Sequence, residues 1–197
     1  MIDQAEILEF LKNNLSPNRY KHSVNVSTTA ENLAERYGCD TYKAKIAGLV
    51  HDCAKGLEKD ALIDCINKEG IAIDEVTLSV KELMHGPAAV HICRKNFDIQ
   101  DADILNAVRY HTTGKENMSI LEKVIYLSDF IEPTRDFAGV GTLRELAVQN
   151  LDRALLKAFD LSIEYVISKN GLIHTDTVLS RNYILQSLSK GRRDDSK

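Results

Sequence analysis

The sequence has 197 residues, of which 44% are hydrophobic, and a formal net charge of -4. This length and apolar content suit one globular domain and exclude a disordered chain. The negative balance excludes a bulk attraction to nucleic acid or anionic lipid, so we expect neither as a partner. The acidic start MIDQAEILEF and the lack of a long apolar run predict a cytoplasmic protein without a signal peptide or a membrane span.

Helical periodicity dominates the chain. Apolar residues recur at helical spacing almost everywhere, while alternation at period two is nearly absent, so the sequence predicts an all-α fold. Ser16 before Pro17 marks a helix start, Gly38 closes that helix, and Asp40 opens the next, which we expect to end at Gly56. The other helices are predicted over residues 3–13, 58–69, 76–85, 87–96, 102–112, 119–131, 143–169 and 175–189.

Three further signals concern the organisation of the chain. Thr142 and Glu145 fit a capping box at the start of the helix predicted over 143–169. We expect one compact multi-helix domain over 1–189 and a charged, solvated tail over 190–197. The cysteines contain no C-x-x-C pair, which argues against a zinc knuckle and a disulfide framework and predicts reduced, mostly buried thiols. They are Cys39, Cys53, Cys65 and Cys93.

Several histidines point towards the predicted core. His22 and His111 each lie on the apolar face of a predicted helix. His85 lies at a corner, because the Gly-Pro pair that follows it predicts the end of one helix and the start of another. His51 and Asp52 are adjacent in the last predicted turn of their helix. Imidazoles are therefore expected to converge from several helices.

Taken singly, these residues have ordinary interpretations. An inward histidine is more often a hydrogen-bonded core residue than a ligand, and Asp52 with Lys55 would form a common i, i+3 ion pair. The set is harder to explain, because these imidazoles, Asp52 and Asp129 are costly to desolvate without a shared cation. Imidazole and carboxylate ligands suit iron, manganese, cobalt or zinc. The sequence therefore predicts a metal site in the helical core.

The segments around these residues resemble a known family. RYKHSVNV, GLVHDCAKG, LMHGPAAV, YHTTG and YLSDFIEPTRD are similar to motifs of the HD-domain phosphohydrolase superfamily, and within it of the bacterial YqeK-type hydrolases. Members of that group split diadenosine tetraphosphate symmetrically into two ADP. The resemblance implies an all-α HD-domain bundle with the metal site in its core and a dinucleoside polyphosphate as substrate.

The resemblance also implies a set of metal ligands. Two transition-metal ions, which we expect to be iron with manganese or cobalt as alternatives, would be bridged by Asp52. A water between two such cations has a lowered pKa and can attack phosphorus, so no protein nucleophile is required. The two ligand groups would be His22, His51, Asp52 and Asp129 for one ion, and His85, His111 and Asp52 for the other.

Basic residues near the ligands are expected to bind phosphate oxygens. Lys55, Arg135 and also Arg19 are the candidates, since an acidic protein needs local cations to hold a polyphosphate. We expect Lys55 and Arg135 to act in catalysis beside Asp52. The alternative for each basic residue is a solvated surface charge. Glu132 is expected either to orient a ligand or to pair with Arg135.

Other positions take minor roles in this interpretation. The loop over 134–141, with Gly139 and Gly141, is expected to cover the nucleotide, and Asn182 is a candidate substrate contact. His91 and His174 are expected to be hydrogen-bonding residues outside the metal site.

Two functional alternatives and one question of assembly stay open at this point. The same metal cluster would also suit another nucleotide, such as a guanosine alarmone or a nucleoside monophosphate. A nucleotide sensor without catalytic activity is a different class of protein, and the complete ligand set argues against it. The sequence leaves homodimerisation open.

Overall fold

The computed structural model describes residues 2–194, with the side chains of 191–194 excepted. Within these residues the chain is all-helical, as predicted, and contains no strand. The eleven helices found there are α1 (Gln4–Asn14), α2 (Pro17–Tyr37), α3 (Thr41–Val50), α4 (Lys59–Lys68), α5 (Glu75–Ser79), α6 (Lys81–Phe97), α7 (Ala102–Arg109), α8 (Ile120–Ile131), α9 (Val140–Gln149), α10 (Leu151–Ser168) and α11 (Thr175–Asp194).

The predicted ends of α2 are confirmed, and the predicted end of α3 is wrong. The Ser16 hydroxyl accepts from the backbone of Arg19 at the start of α2, and Gly38 closes that helix in the left-handed region at φ +67°. Helix α3 ends at Val50 rather than at Gly56. After Val50 the backbone hydrogen bonds join residues three apart, as from Cys53 to Val50, so the chain tightens into successive turns.

The predicted break at Gly86-Pro87 is wrong, because α6 runs through both residues from Lys81 to Phe97. The residue before a proline is normally driven out of the helical region by a clash that involves its own Cβ. Gly86 has no Cβ, which removes that clash. A Cβ there would also lie 2.7 Å from the carbonyl oxygen of Arg109, so the glycine permits the contact between α6 and the end of α7. The short α5 precedes α6 where one helix over 76–85 was predicted.

The long helix predicted over 143–169 is also wrong, since Asn150 divides it into α9 and α10. Asn150 has extended backbone angles, and its side chain accepts from the backbone of Arg153 as the N-cap of α10. The predicted capping box at Thr142 is absent because α9 already begins at Val140 after Gly139. A complete capping box is found instead at Ser119 and Glu122, at the start of α8.

The helices that carry the predicted ligands form one packed group. Helix α2 packs against α3 and α8, and α7 packs against α3, α6 and α8. Buried apolar residues fill the space between them, including Val26 and Ala30 of α2 and Val124 and Ile125 of α8. This packing directs residues from α2, α6 and α8, and from the turns after α3 and α7, to one point.

Three observations complete the fold. All four cysteines are free, and of them Cys53 and Cys93 are buried. No helix of residues 2–194 is long and apolar enough to cross a membrane. Helix α11 continues into the segment predicted as a tail, 190–197, whose last three residues lie outside the described part, so the domain division stays a prediction.

We predict that Gly48→Ala destabilises the protein, because a Cβ at Gly48 would lie 2.7 Å from the Cα of Ser27 where α3 crosses α2. Overpacking of this kind costs about 1–3 kcal/mol, which chemical denaturation measures directly. Gly141→Ala is the matched control, since Gly141 lies in α9 with nothing within 4 Å of such a Cβ, and a small gain is expected. Equal stability of Gly48→Ala and wild type would contradict the close crossing.

Candidate metal centre

The six residues predicted as metal ligands lie together in the core. His22 comes from α2, His85 from α6 and Asp129 from α8, while the other three lie in the turns that follow α3 and α7. Five of the six are buried, and Asp129 is partly exposed at the edge of the group. We call this group, which comprises His22, His51, Asp52, His85, His111 and Asp129, the His/Asp cluster.

Each of the four histidines has its Nδ1 atom fixed by an oxygen acceptor. Three acceptors are backbone carbonyls three residues earlier in the chain, and the fourth is the carboxylate of Glu132. Because these oxygens can only accept, each Nδ1 carries the proton and donates it. The Nδ1 to oxygen distances are 3.1 Å from His22 to Glu132, 2.7 Å from His51 to Gly48, 2.5 Å from His85 to Glu82 and 2.7 Å from His111 to Val108.

In neutral rings of this tautomer the Nε2 atoms carry lone pairs that point into the cluster. The Nε2 atoms of His85 and His111 lie 2.9 Å apart, so two such neutral rings would have no proton to share. The Nε2 atom of His22 lies 2.9 Å from Oδ1 of Asp129, and the buried Nε2 atom of His51 has no hydrogen-bond partner in the described structure. Lone pairs at these distances repel unless a cation lies between them, so the donor set fits a transition-metal centre.

Asp52 divides its two carboxylate oxygens between the histidines. Its Oδ2 lies 3.5 Å from Nε2 of His51 and 3.8 Å from Nε2 of His22. Its Oδ1 lies 2.9 Å from Nε2 of His85 and 3.6 Å from Nε2 of His111. One carboxylate thus faces two sets of imidazoles, which is the geometry that a bridging ligand requires.

Two triads within the cluster have ligand atoms close enough to share one ion. Their atoms all lie within 4.8 Å of one another, in the groups His22, His51, Asp129 and His51, Asp52, His111. The first triad contains three of the four residues predicted for the first ligand group and lacks Asp52. The second includes His51 where the resemblance implied His85, although His85 adjoins it through Asp52.

The cluster also sets the protonation of its members. Burial opposes the charge of Asp52, but when no cation is bound, positive charge on His51 and hydrogen bonds from His111, His51 and His85 outweigh it and hold the pKa of this carboxyl well below its usual range. The pKa of Asp129 is likewise lowered against its burial, by His22, His51 and Arg135. Burial lowers the pKa of His85 to about 4, so its ring is neutral at neutral pH and free to act as a ligand.

The basic residues predicted to bind phosphate lie at the edge of the cluster. Arg19 donates to Oδ2 of Asp52 over 2.7 Å, and Arg135 donates to both the carboxylate and the backbone carbonyl of Asp129. The Lys55 ammonium lies 3.3 Å from Nδ1 of His85, and no ion pair between Lys55 and Asp52 is found. The side chains of Arg19 and Arg135 are about one-third exposed, at 32% and 35%, so solvent reaches both.

The side chain of Glu132 contacts His22, a predicted ligand, and no ion pair of Glu132 with Arg135 is found among the described residues. Its buried carboxylate accepts from His22, from the side chain of Asn25 and from both the backbone and the hydroxyl of Thr134. These bonds, Thr134 foremost, outweigh its burial and lower its pKa. Asn25 and Thr134 were not predicted, because a short polar residue gives no sequence signal for a carboxylate that lies 107 positions away, as for Asn25, or two positions away, as for Thr134.

Arg144 is a further residue that the sequence did not reveal. From α9 its guanidinium donates to the carbonyl oxygens of Ile131, Glu132 and Arg135, at 2.9, 2.8 and 2.9 Å. It therefore fixes the turn that carries both Glu132 and Arg135. Arg144 lies between Thr142 and Glu145, the two residues of the predicted capping box. Nothing in its spacing indicates three carbonyl partners.

The remaining candidates lie apart from the cluster. His91 contacts the carboxylate of Glu69, and His174 contacts that of Asp74, so both are hydrogen-bonded away from the cluster, as predicted. Asn182 is exposed on α11, and the contact found for its side chain is with its neighbour Arg181.

An all-helical domain with imidazoles and carboxylates converging at a buried point is a framework for divalent cations. The sequence matches the HD domain over residues 19–134, a range that includes the whole His/Asp cluster. The chain belongs to the HD domain family. Membership implies a divalent metal centre, and the His/Asp cluster has the ligand atoms for one.

Curated relatives and a solved structure are similar over nearly the whole chain. The chain is 38% identical to a protein of Bacillus subtilis and 36% identical to one of Halalkalibacterium halodurans, each over 93% of this chain and 98% of the relative. Both are named symmetrical bis(5'-nucleosyl)-tetraphosphatase. A crystal structure from Clostridium acetobutylicum, described as a predicted HD superfamily hydrolase involved in NAD metabolism, has 45% identity and a TM-score of 0.91, covering 95% of this chain and 99% of its own.

We predict that Asp52→Asn removes metal without unfolding the chain, because an amide keeps the shape of the carboxylate and loses the charge that faces two sets of histidines. Metal analysis of protein purified without chelator should fall from close to two ions per chain to below one, with unchanged helical circular dichroism. The lowering of the thermal midpoint by a chelator should shrink in the same variant. Asp64→Asn, on the exposed face of α4, is the control.

We also predict that Glu132→Gln weakens metal binding by roughly 10–100-fold, since it replaces the charged acceptor that orients His22. Competition with a metal-sensitive dye measures this change. Glu145→Gln, an exposed glutamate of α9, should leave the affinity unchanged. Equal affinity of Glu132→Gln and wild type would show that the orientation of His22 does not depend on this carboxylate.

Proposed function

We propose that this chain is a metal-dependent hydrolase that splits diadenosine tetraphosphate, and related dinucleoside tetraphosphates, symmetrically into two nucleoside diphosphates. The observation that carries this proposal is the full-length similarity to two proteins named for that activity, at 36% and 38% identity. The intact His/Asp cluster supports it, because a phosphoanhydride hydrolase needs a centre that activates water beside phosphorus.

The reaction breaks the anhydride bond between the second and third phosphates. The oxygen of one water forms a bond to one of these two phosphorus atoms, and the other phosphate leaves with the bridging oxygen. Each product then carries two phosphates, and the proton of the water is released. The metal ions would supply an activated water and neutralise the charge that develops on phosphorus.

The chain's own residues would hold the ions and the phosphates. We assign Asp52 as the shared ligand, since its two oxygens face different histidines, with the other five members of the His/Asp cluster completing the two groups. Arg19 and Arg135 lie at the solvent-exposed edge, where their guanidinium groups would turn towards phosphate oxygens. Lys55 is largely buried beside His85, and it would place a positive charge next to the second ligand group.

The identity of the metal, the location of the protein and its oligomeric state also belong to the proposal. Iron is the metal we propose, with manganese and cobalt as alternatives that the same nitrogen and oxygen ligands accept. A cytoplasmic location is in keeping with four free cysteines. Homodimerisation stays an open prediction that sedimentation of the purified chain would answer.

A dinucleotide with a shorter phosphate bridge is the second candidate substrate. It is favoured by the Clostridium acetobutylicum structure, whose description refers to NAD metabolism. A Mycoplasma genitalium relative, 28% identical, is named a probable nicotinate-nucleotide adenylyltransferase/Ap4A hydrolase, and this chain covers 45% of it. Since that name joins two activities in one longer protein, it also accounts for a link to NAD that does not involve hydrolysis by the HD domain.

Turnover of a substrate panel tests the proposed function. Metal-reconstituted protein should convert diadenosine tetraphosphate to ADP alone, with far lower kcat/KM for NAD, a guanosine alarmone and a nucleoside monophosphate. Protein treated with chelator should be inactive and should recover with iron, manganese or cobalt. Turnover confined to the alarmone or the monophosphate would overturn the substrate, and no turnover of any compound would favour a sensor.

We predict that Lys55→Ala retains its metal but loses kcat/KM for diadenosine tetraphosphate by roughly 10–100-fold, because one charge near the reacting phosphates is removed. Metal analysis and steady-state kinetics of the same preparation measure the two effects separately. Lys59→Ala, an exposed lysine at the start of α4, is the control and should match wild type. Loss of metal in Lys55→Ala would instead place Lys55 in support of His85.

A further inference from the structure

A cavity of about 650 Å³ adjoins the His/Asp cluster. Its lining includes Asp129 of the cluster and Arg135, so the cavity and the proposed reaction site are continuous. The rest of its wall comes from Phe130 of α8, from the segment before α9 and from α10. Three other cavities, of about 60, 350 and 200 Å³, contain no member of the cluster in their lining.

Two aromatic side chains of this cavity are exposed to solvent. Phe137 is 36% exposed and Tyr165 is 65% exposed, although both line the same space. The ring of Phe137 contacts Phe130 edge to face, with 6.4 Å between ring centroids. Exposed aromatic rings beside a cavity offer flat apolar surfaces on which a nucleobase can stack.

The wall of the cavity combines a cation with apolar surface. Arg135 contacts Asp129 of the cluster with its guanidinium partly exposed, and Phe137, Leu161 and Tyr165 supply apolar surface. A ligand with an anionic part and a flat apolar part matches this combination. The volume lies within the roughly 300–1,000 Å³ that is usual for small-molecule sites.

We propose that this cavity binds one nucleoside of the dinucleoside tetraphosphate, with the base stacked against Phe137 and Tyr165 and the phosphates passing Arg135 towards the cluster. The inference rests on the proposed function and adds the position of the nucleoside to it. Phe137 and Tyr165 act as binding residues, since neither is among the predicted metal ligands. Their role is to hold the substrate so that its middle phosphates reach the metal centre.

Calorimetry with ADP on manganese-loaded protein tests the site, with inorganic tripolyphosphate as a probe that lacks a base. We expect the Kd for ADP to rise roughly tenfold in Phe137→Ala and again in Tyr165→Ala, while the affinity for tripolyphosphate stays within about twofold. Tyr165→Phe, which keeps the ring, should restore ADP binding. Ile167→Ala is the matched control, because Ile167 is 58% exposed on α10, the helix that carries Tyr165, and is not part of the cavity wall.

Several outcomes would overturn the inference. They are no ADP binding by wild type, unchanged ADP affinity in both alanine variants, and an equal loss for ADP and tripolyphosphate. If Phe137→Ala also lowers the thermal midpoint, the ADP affinity of Tyr165→Ala tests the inference instead, because Tyr165 is more exposed. Hydrolysis of diadenosine tetraphosphate with the same KM in wild type and both variants would reject the nucleoside site and leave the proposed function standing. ADP binding that depends on the two rings, in a protein that does not hydrolyse diadenosine tetraphosphate, would support the nucleoside site and reject the proposed function.

Discussion

The structure depends on four imidazole rings whose Nε2 atoms meet in the buried core. With every Nδ1 committed to an oxygen acceptor, the Nε2 atoms of neutral rings can only accept, and two of them are 2.9 Å apart. Such a group is costly to bury unless positive charge is shared among its members. Metal binding and folding are therefore linked, because the helices α2, α3, α6, α7 and α8 reach their packed positions only by bringing these nitrogens together. Gly48 and Gly86 allow these helices to approach closely, Gly48 where α3 meets α2 and Gly86 where α6 meets the end of α7.

The four histidines are oriented in two different ways. His51, His85 and His111 each donate to the carbonyl three residues earlier, so a single turn of chain sets the direction of the ring. His22 instead donates to Glu132, which lies 110 positions later in the chain. Three of the four predicted ligands are thus oriented by local structure, while the orientation of His22 depends on the packing of α2 against α8. The end of α8 is for this reason the part of the fold to which the centre is most sensitive.

The sequence predicted the helical class and the cluster because both leave a periodic or motif-like signal. His22 and His111 follow the spacing of an apolar helix face, and adjacent His51 and Asp52 lie within a motif of the family. The helix boundaries at Pro87 and Asn150 were wrong because tertiary packing decided the first and a single capping side chain the second. Residues such as Arg144, which act on backbone carbonyls, leave no pattern, since any sequence supplies carbonyls.

Arg144 has a consequence for how such an enzyme can diverge. Its three hydrogen bonds secure the chain from Ile131 to Arg135 and stop two residues short of Phe137. The backbone beside the His/Asp cluster is thus anchored separately from Phe137 and Tyr165, the aromatic residues of the neighbouring cavity. Selection can exchange the aromatic wall for one that suits another base while the anchored turn stays unaltered. Such a division lets substrate preference drift among descendants that inherit the same chemistry.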